Sequence, residues 1–160
     1  MVRILTLTDS LSERAGGLSH ATINLAQSTA QQWPSAEFLI LSQQDGSEIQ
    51  CIDQGIANLT VRAVPCLRNK LFPWSRGLAQ SVEAFCPDLI HLRGLWRQPS
   101  LVSLRWKKNH PGSPLIVQTA GTTGVATFLL SEDLDIAAAI QYESSGKSGI
   151  ATHNAGLFFS

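Results

Sequence analysis

Val2-Arg-Ile-Leu-Thr-Leu7 is a compact apolar run. A polar, glycine-containing loop carries the chain from it to Gly16-Gly17. Leu18, Ala21, Thr22, Leu25, Ala26 and Thr29 then recur at helical spacing, with Asn24, Gln27 and Gln31 on other faces. Strand, loop and helix follow one another within the first thirty residues or so, and Trp33-Pro34-Ser35 stops the helix. The same alternation continues. Glu37–Leu41 is predicted as a second buried strand, with a short strand at Glu48–Ile52 in the polar stretch that follows. Leu59–Val64 is a third strand, ended by Pro65. Leu78, Ala79, Val82 and Phe85 share one face of a second helix that stops before Pro87. Asp88-Leu-Ile-His-Leu92 is a fourth strand. Gln98–Asn109 reads as a third helix with Pro99 in its first turn, where a missing N–H costs nothing. Leu101, Val102 and Leu104 are expected to face the sheet, and Arg105, Lys107 and Lys108 crowd the C-terminal end, where the helix dipole favours cations. Leu115-Ile-Val-Gln-Thr119 is a fifth strand.

Strands that are apolar almost throughout, alternating with helices that have one apolar face, argue for a parallel sheet covered on both sides. The expected architecture is α/β: a Rossmann-like, doubly wound, largely parallel sheet of five strands from Val2 to Thr119. Ligands of such sheets sit at the carboxyl ends of the strands, so the loops after Leu7, Leu92 and Thr119 carry most interest.

The whole chain has 160 residues, of which 44% are hydrophobic and 15% charged, which excludes a disordered chain. Twelve basic and twelve acidic side chains cancel, so bulk charge favours neither nucleic acid nor an anionic membrane. Cys51, Cys66 and Cys86 are odd in number and widely spaced, and no C-x-x-C pair marks a zinc or redox site. No apolar run reaches the roughly 20 residues of a membrane span, and the apolar start is too short for a signal peptide. The expected compartment is the cytoplasm, with a peripheral membrane position left open.

The character changes after Gly121. Residues 122–160 hold one basic residue against four acids, whereas the preceding part holds eleven against eight. All seven prolines lie at or before Pro114. The expected organisation is a Rossmann-like domain over 1–121 and a divergent, poorly ordered tail over 122–160, with a helix at Asp135–Tyr142 and a loop at Ser144–Gly149.

Gly16-Gly17 before a helix suits phosphate, because glycines let backbone N–H groups approach an anion. A loop that simply needs unusual dihedrals is an equal reading. His91 lies on an otherwise apolar strand, where a hydrogen-bonded core histidine is favoured over a proton-transfer role. Arg93 and Arg97 lie beyond that strand and are candidates to grip an anion, or members of a solvated basic loop. Thr119–Gly124 is a hydroxyl-rich ligand loop or a turn. Gly146-Lys147-Ser148 fails as a phosphate loop, since Gln141 stands where the first glycine belongs. His110 and His153 have no ligand partners at metal spacing, so no metal is expected. Asn58-Leu-Thr60 matches a glycosylation sequon without consequence in a cytoplasmic chain.

Taken together, Arg3-Ile-Leu-Thr-Leu-Thr-Asp-Ser10, Gly16-Gly-Leu-Ser-His-Ala-Thr-Ile-Asn-Leu-Ala26 and Pro87-Asp-Leu-Ile-His-Leu-Arg-Gly-Leu-Trp96 resemble the N-terminal domain of GT-B glycosyltransferases of family 4. The ordered motifs cover about Met1 to Gly121. The resemblance implies metal-independent transfer of a sugar from a nucleotide donor to a glycan or lipid acceptor, with no cofactor beyond that donor. It implies Gly16 and Gly17 near the donor phosphates and His91 in the fourth-strand motif. Arg93 stands where the family commonly has a second histidine, and Ala120-Gly121 where it commonly has His-Gly. An alanine can neither donate nor accept a proton. The expectation is therefore a truncated N-terminal half, inactive alone, whose tail is read out of frame. The alternative is a non-catalytic Rossmann-like domain that pairs with a separate donor-domain chain.

Overall fold

The computed structural model describes residues 1–12, 16–44, 55–66, 75–94, 97–121, 124–130, 139–141 and 150–152. In chain order the elements are β1 (Arg3–Thr8), α1 (Gly17–Gln32), β2 (Glu37–Gln44), β3 (Leu59–Pro65), α2 (Arg76–Phe85), β4 (Leu89–Arg93), α3 (Gln98–Asn109), β5 (Leu115–Gly121), β6 (Gly124–Leu130), β7 (Ala139–Gln141) and β8 (Ile150–Thr152). The strand expected at Glu48–Ile52 and the loop at Ser144–Gly149 lie outside the described residues.

Five strands pair in parallel in the order β3-β2-β1-β4-β5. This is the doubly wound arrangement that buried, non-alternating strands require. The sheet does not end at residue 121. Gly121 pairs with Gly124, the chain reverses, and β6 runs antiparallel to β5 as a sixth strand. Ala120, Gly121 and Gly124, expected in a loop after the fifth strand, are thus sheet residues. β7 and β8 form a separate antiparallel pair. Of the helix expected at Asp135–Tyr142, the described part, Ala139–Gln141, is strand.

β1 is central and successive side chains alternate between two cores. Leu5, Leu7, Leu39, Leu41, Ile90, Leu92, Leu115 and Val117 face α2 and α3, meeting Leu78, Val82, Val102 and Trp106. Ile4, Phe38 and Ile40 face α1, meeting Ile23, Ala26 and Ala30. Each fully buried Leu or Ile stabilises the fold by roughly 1.5–3 kcal/mol.

Two helices differ from the sequence reading in the face they bury. On α3, Leu101 and Leu104 are 56% and 46% exposed, whereas Pro99, Val102, Ser103 and Trp106 are buried. The bulk of Trp106 and the buried amide of Gln98 set the rotation of the helix, and the two leucines turn outward. On α1 the buried residues are Ser19, Thr22, Ile23, Ala26 and Ala30, and Leu25 lies at the margin. This small-residue face can sit close to the sheet. The Thr22 hydroxyl is tolerated there because it donates to the Leu18 carbonyl at 2.7 Å.

The sequon asparagine has a structural task. Asn58 Nδ2 donates to the carbonyls of Ala30, Trp33 and Ala36 at 3.1, 3.0 and 2.9 Å, closing the C-terminal end of α1.

Candidate functional site

Thr8, last in β1, lies in register with Arg93, last in β4. The loops that follow these two strands therefore leave the sheet side by side at its carboxyl end. Arg97 Nη1 reaches back to Asp9 Oδ2 at 3.1 Å and ties the two loops together. The Arg97 side chain is 57% exposed and that of Asp9 35%, so the pair adds well under 1 kcal/mol and its guanidinium stays open to solvent.

The loop after β1 ends at Gly16, whose φ of 61° and ψ of −141° form a backbone state that in practice only glycine adopts. Its carbonyl accepts from the Ser19 N–H at 3.1 Å as α1 begins. The N-cap position is Gly16 itself, which has no side chain to cap α1. A Cβ added at Gly16 or Gly17 would meet nothing within 4 Å among the described residues, so these leave the space over both open. Earlier in the loop, Ser10 Oγ accepts from the Ser12 N–H at 3.1 Å, and buried Leu11 anchors the loop beneath α1.

A buried amide network holds the rim from below. Gln98 Nε2 donates to the Ser75 carbonyl at 2.7 Å, and its Oε1 accepts from the Ser75 N–H at 2.6 Å and from Gln43 Nε2. The Gln43 N–H in turn donates to the Asp9 carbonyl at 3.1 Å. The end of β2, the loop after β1 and the first residues of α2 and α3 are joined in this way. Breaking it strands several buried groups, each worth about 1–3 kcal/mol.

His91 and Arg93 turn to the α1 side of the sheet. Gln118 Oε1 accepts from Arg93 Nη1 at 2.6 Å and from the Nε2–H of His91 at 3.1 Å. Convergence of both on one atom identifies it as the amide oxygen. Burial, and secondarily the adjacent Arg93 charge, lowers the His91 pKa to about 4, with the Gln118 hydrogen bond acting weakly the other way. His91 is therefore neutral at neutral pH, a poor match for a base working near pH 7. Burial also lowers the Arg93 pKa, but a guanidinium keeps its charge.

The sequence-predicted residues thus divide into two groups. Gly16, Gly17 and Arg97 belong to the rim at the carboxyl ends of β1 and β4, and His91 and Arg93 to a cluster on the sheet face. Trp96, Gly146–Ser148, His153 and Asn154 lie outside the described residues, as does Cys51. Asp9, Gln43, Gln98 and Gln118 were not singled out from sequence. Gln118 did carry a signal: it is a long polar residue directly after the apolar run Leu115-Ile-Val, within a strand. Among the described residues no three His, Cys, Asp or Glu side chains converge in a way that suits a metal ion, and no helix is long and apolar enough to cross a membrane. Comparison with protein-family models and with curated protein sequences finds no match.

Proposed function

We propose that this chain is the acceptor-side, N-terminal half of a GT-B glycosyltransferase of family 4, unable to transfer sugar without a donor-binding half. The observation that carries the reading is the open helix start at Gly16-Gly17, in the loop that Asp9 ties to Arg97 at the carboxyl ends of two central parallel strands. Departure of a nucleoside diphosphate needs positive groups fixed where charge develops. Backbone N–H groups of the first turn of α1 and the solvent-open guanidinium of Arg97 are suited to that task. Transfer also needs donor and acceptor held in line, which supplies much of the rate. Ala120 provides no proton carrier at the carboxyl end of β5. Together with Arg93 held under Gln118, this favours a supporting rather than a self-sufficient role, including that of a non-catalytic subunit paired with a separate donor-domain chain.

Calorimetric titration of the chain with common nucleotide sugars, followed by a product assay on a mixed acceptor pool, tests this reading. The expected result is weak, saturable binding that disappears in Gly17→Val and falls in Arg97→Gln, with no product. The valine is a suitable probe because a Cβ at Gly17 meets no atom of the described residues within 4 Å, so the substitution fills space at the start of the helix. Absence of binding by every nucleotide sugar refutes the reading. Turnover by the chain alone refutes its dependence on a second half.

A further inference from the structure

A groove of about 230 Å³ runs between α1 and the adjoining faces of β1, β4 and β5. Leu89, His91 and Arg93 succeed one another along its floor, because alternate residues of a strand share a face. The floor is therefore about 13 Å long. A groove of this length suits one extended chain laid along β4.

The groove is polar at one end and apolar at the other. At the carboxyl end of β4, Arg93 is only 7% exposed. One guanidinium nitrogen donates to the neutral amide oxygen of Gln118. Its Nε is buried without any partner. No carboxylate pairs with Arg93 among the described residues, since the ion pair found there joins Arg97 to Asp9. Neighbouring His91 is neutral at neutral pH, so Arg93 supplies the charge of that end. A buried cation lacking a counter-ion is costly, and a carboxylate is the group a guanidinium holds best. At the opposite end Leu89, Ile4 and Phe38 line the floor and Trp33 forms the wall. Trp33 is 58% exposed although it closes α1.

We propose that this groove binds a single-chain amphiphilic monoanion, its carboxylate on Arg93 and its alkyl chain lying along β4 toward Trp33. The site is separate from the Gly16–Arg97 rim, and the inference does not rest on sugar transfer.

Sodium octanoate below its micellar concentration is the probe, with 1-octanol as its uncharged counterpart. One-site binding is expected by calorimetry at pH 7.5, tightening about fourfold for each methylene from hexanoate to octanoate. Octanol is expected to bind at least tenfold more weakly, and Arg93→Met to remove the preference for the acid. A second readout fixes the orientation without altering Arg93. 8-Bromooctanoate should quench indole fluorescence in the native chain, and most of that quenching should vanish in Trp33→Phe, a change at an exposed position. Equal affinity for octanoate and octanol, an unchanged preference in Arg93→Met, or quenching that persists in Trp33→Phe would each overturn the proposal. So would binding that is seen only with vesicles of anionic phospholipid and not with monomeric octanoate, since surface charge alone would explain it.

Discussion

His91 illustrates how far a single residue could be read. Its place on a buried strand follows from the apolar run around it, and a hydrogen-bonded histidine was the favoured expectation. Its partner was not legible. Gln118 lies 27 positions away, and only the β4–β5 register, which sets Arg93 opposite Gln118, brings the two side chains together. That register depends on how two strands meet in space. The depressed pKa has a consequence for stability. The folded value, about 4, lies below the unfolded value near 6.5, so the unfolded chain takes up the proton first as pH falls. The contribution of His91 is fully present above about pH 6.5 and is lost as pH falls toward 4, with a ceiling of about 3 kcal/mol. Urea denaturation at half-unit pH steps should show wild type losing stability through that window more steeply than His91→Gln. Parallel curves would mean that the folded histidine titrates normally.

At the scale of elements, existence and order were legible and rotation was not. The bounds of α3, Gln98–Asn109, match the sequence expectation, because Pro99 and the basic C-terminal turn mark its ends. The buried face was misjudged because leucines were weighed above a tryptophan and above polar residues with partners in the fold. Ser103 donates to the Pro99 carbonyl at 2.8 Å and Gln98 is satisfied by Ser75 and Gln43, so both can be interior. α1 misleads for a related reason: its sheet-facing side is made of small residues, whose burial leaves a faint periodic signal. The two faces of α3 make a direct comparison. Trp106→Ala should cost about 3–5 kcal/mol, as expected for a large side chain removed from a packed core. Leu104→Ala should change stability by about 0.5 kcal/mol or less, as expected for a surface site. Chemical denaturation of the two variants decides between the faces, and a larger loss at Leu104 would reverse the assignment of the buried side.

For the whole molecule, the parallel sheet could be inferred because β1 and β2, at its centre, are buried almost throughout, which a sheet covered on both sides requires, whereas β3 at the edge alternates. The antiparallel sixth strand could not, since Gly124–Leu130 carries no alternation that separates it from a helix or a loop and lies where composition changes. The rim of the candidate site was partly visible as glycines and arginines. The glutamine network beneath it was hidden, because amides earn their place through partners distant in sequence. One feature of the sheet bears on how the protein is made. Of the strands in this sheet, β1 is made before its partners yet lies in the middle, and Ile4 pairs with Leu89 as well as with Phe38. A ribosome adding about 5–20 residues each second needs on the order of ten seconds to travel from one partner to the other. Until then β1 is an apolar segment with one side unpaired, exposed to chaperones and to other nascent chains. Stalled chains of increasing length should stay sensitive to protease until β5 has cleared the tunnel and then become resistant together, as expected of a sheet whose middle strand waits for neighbours made long after it.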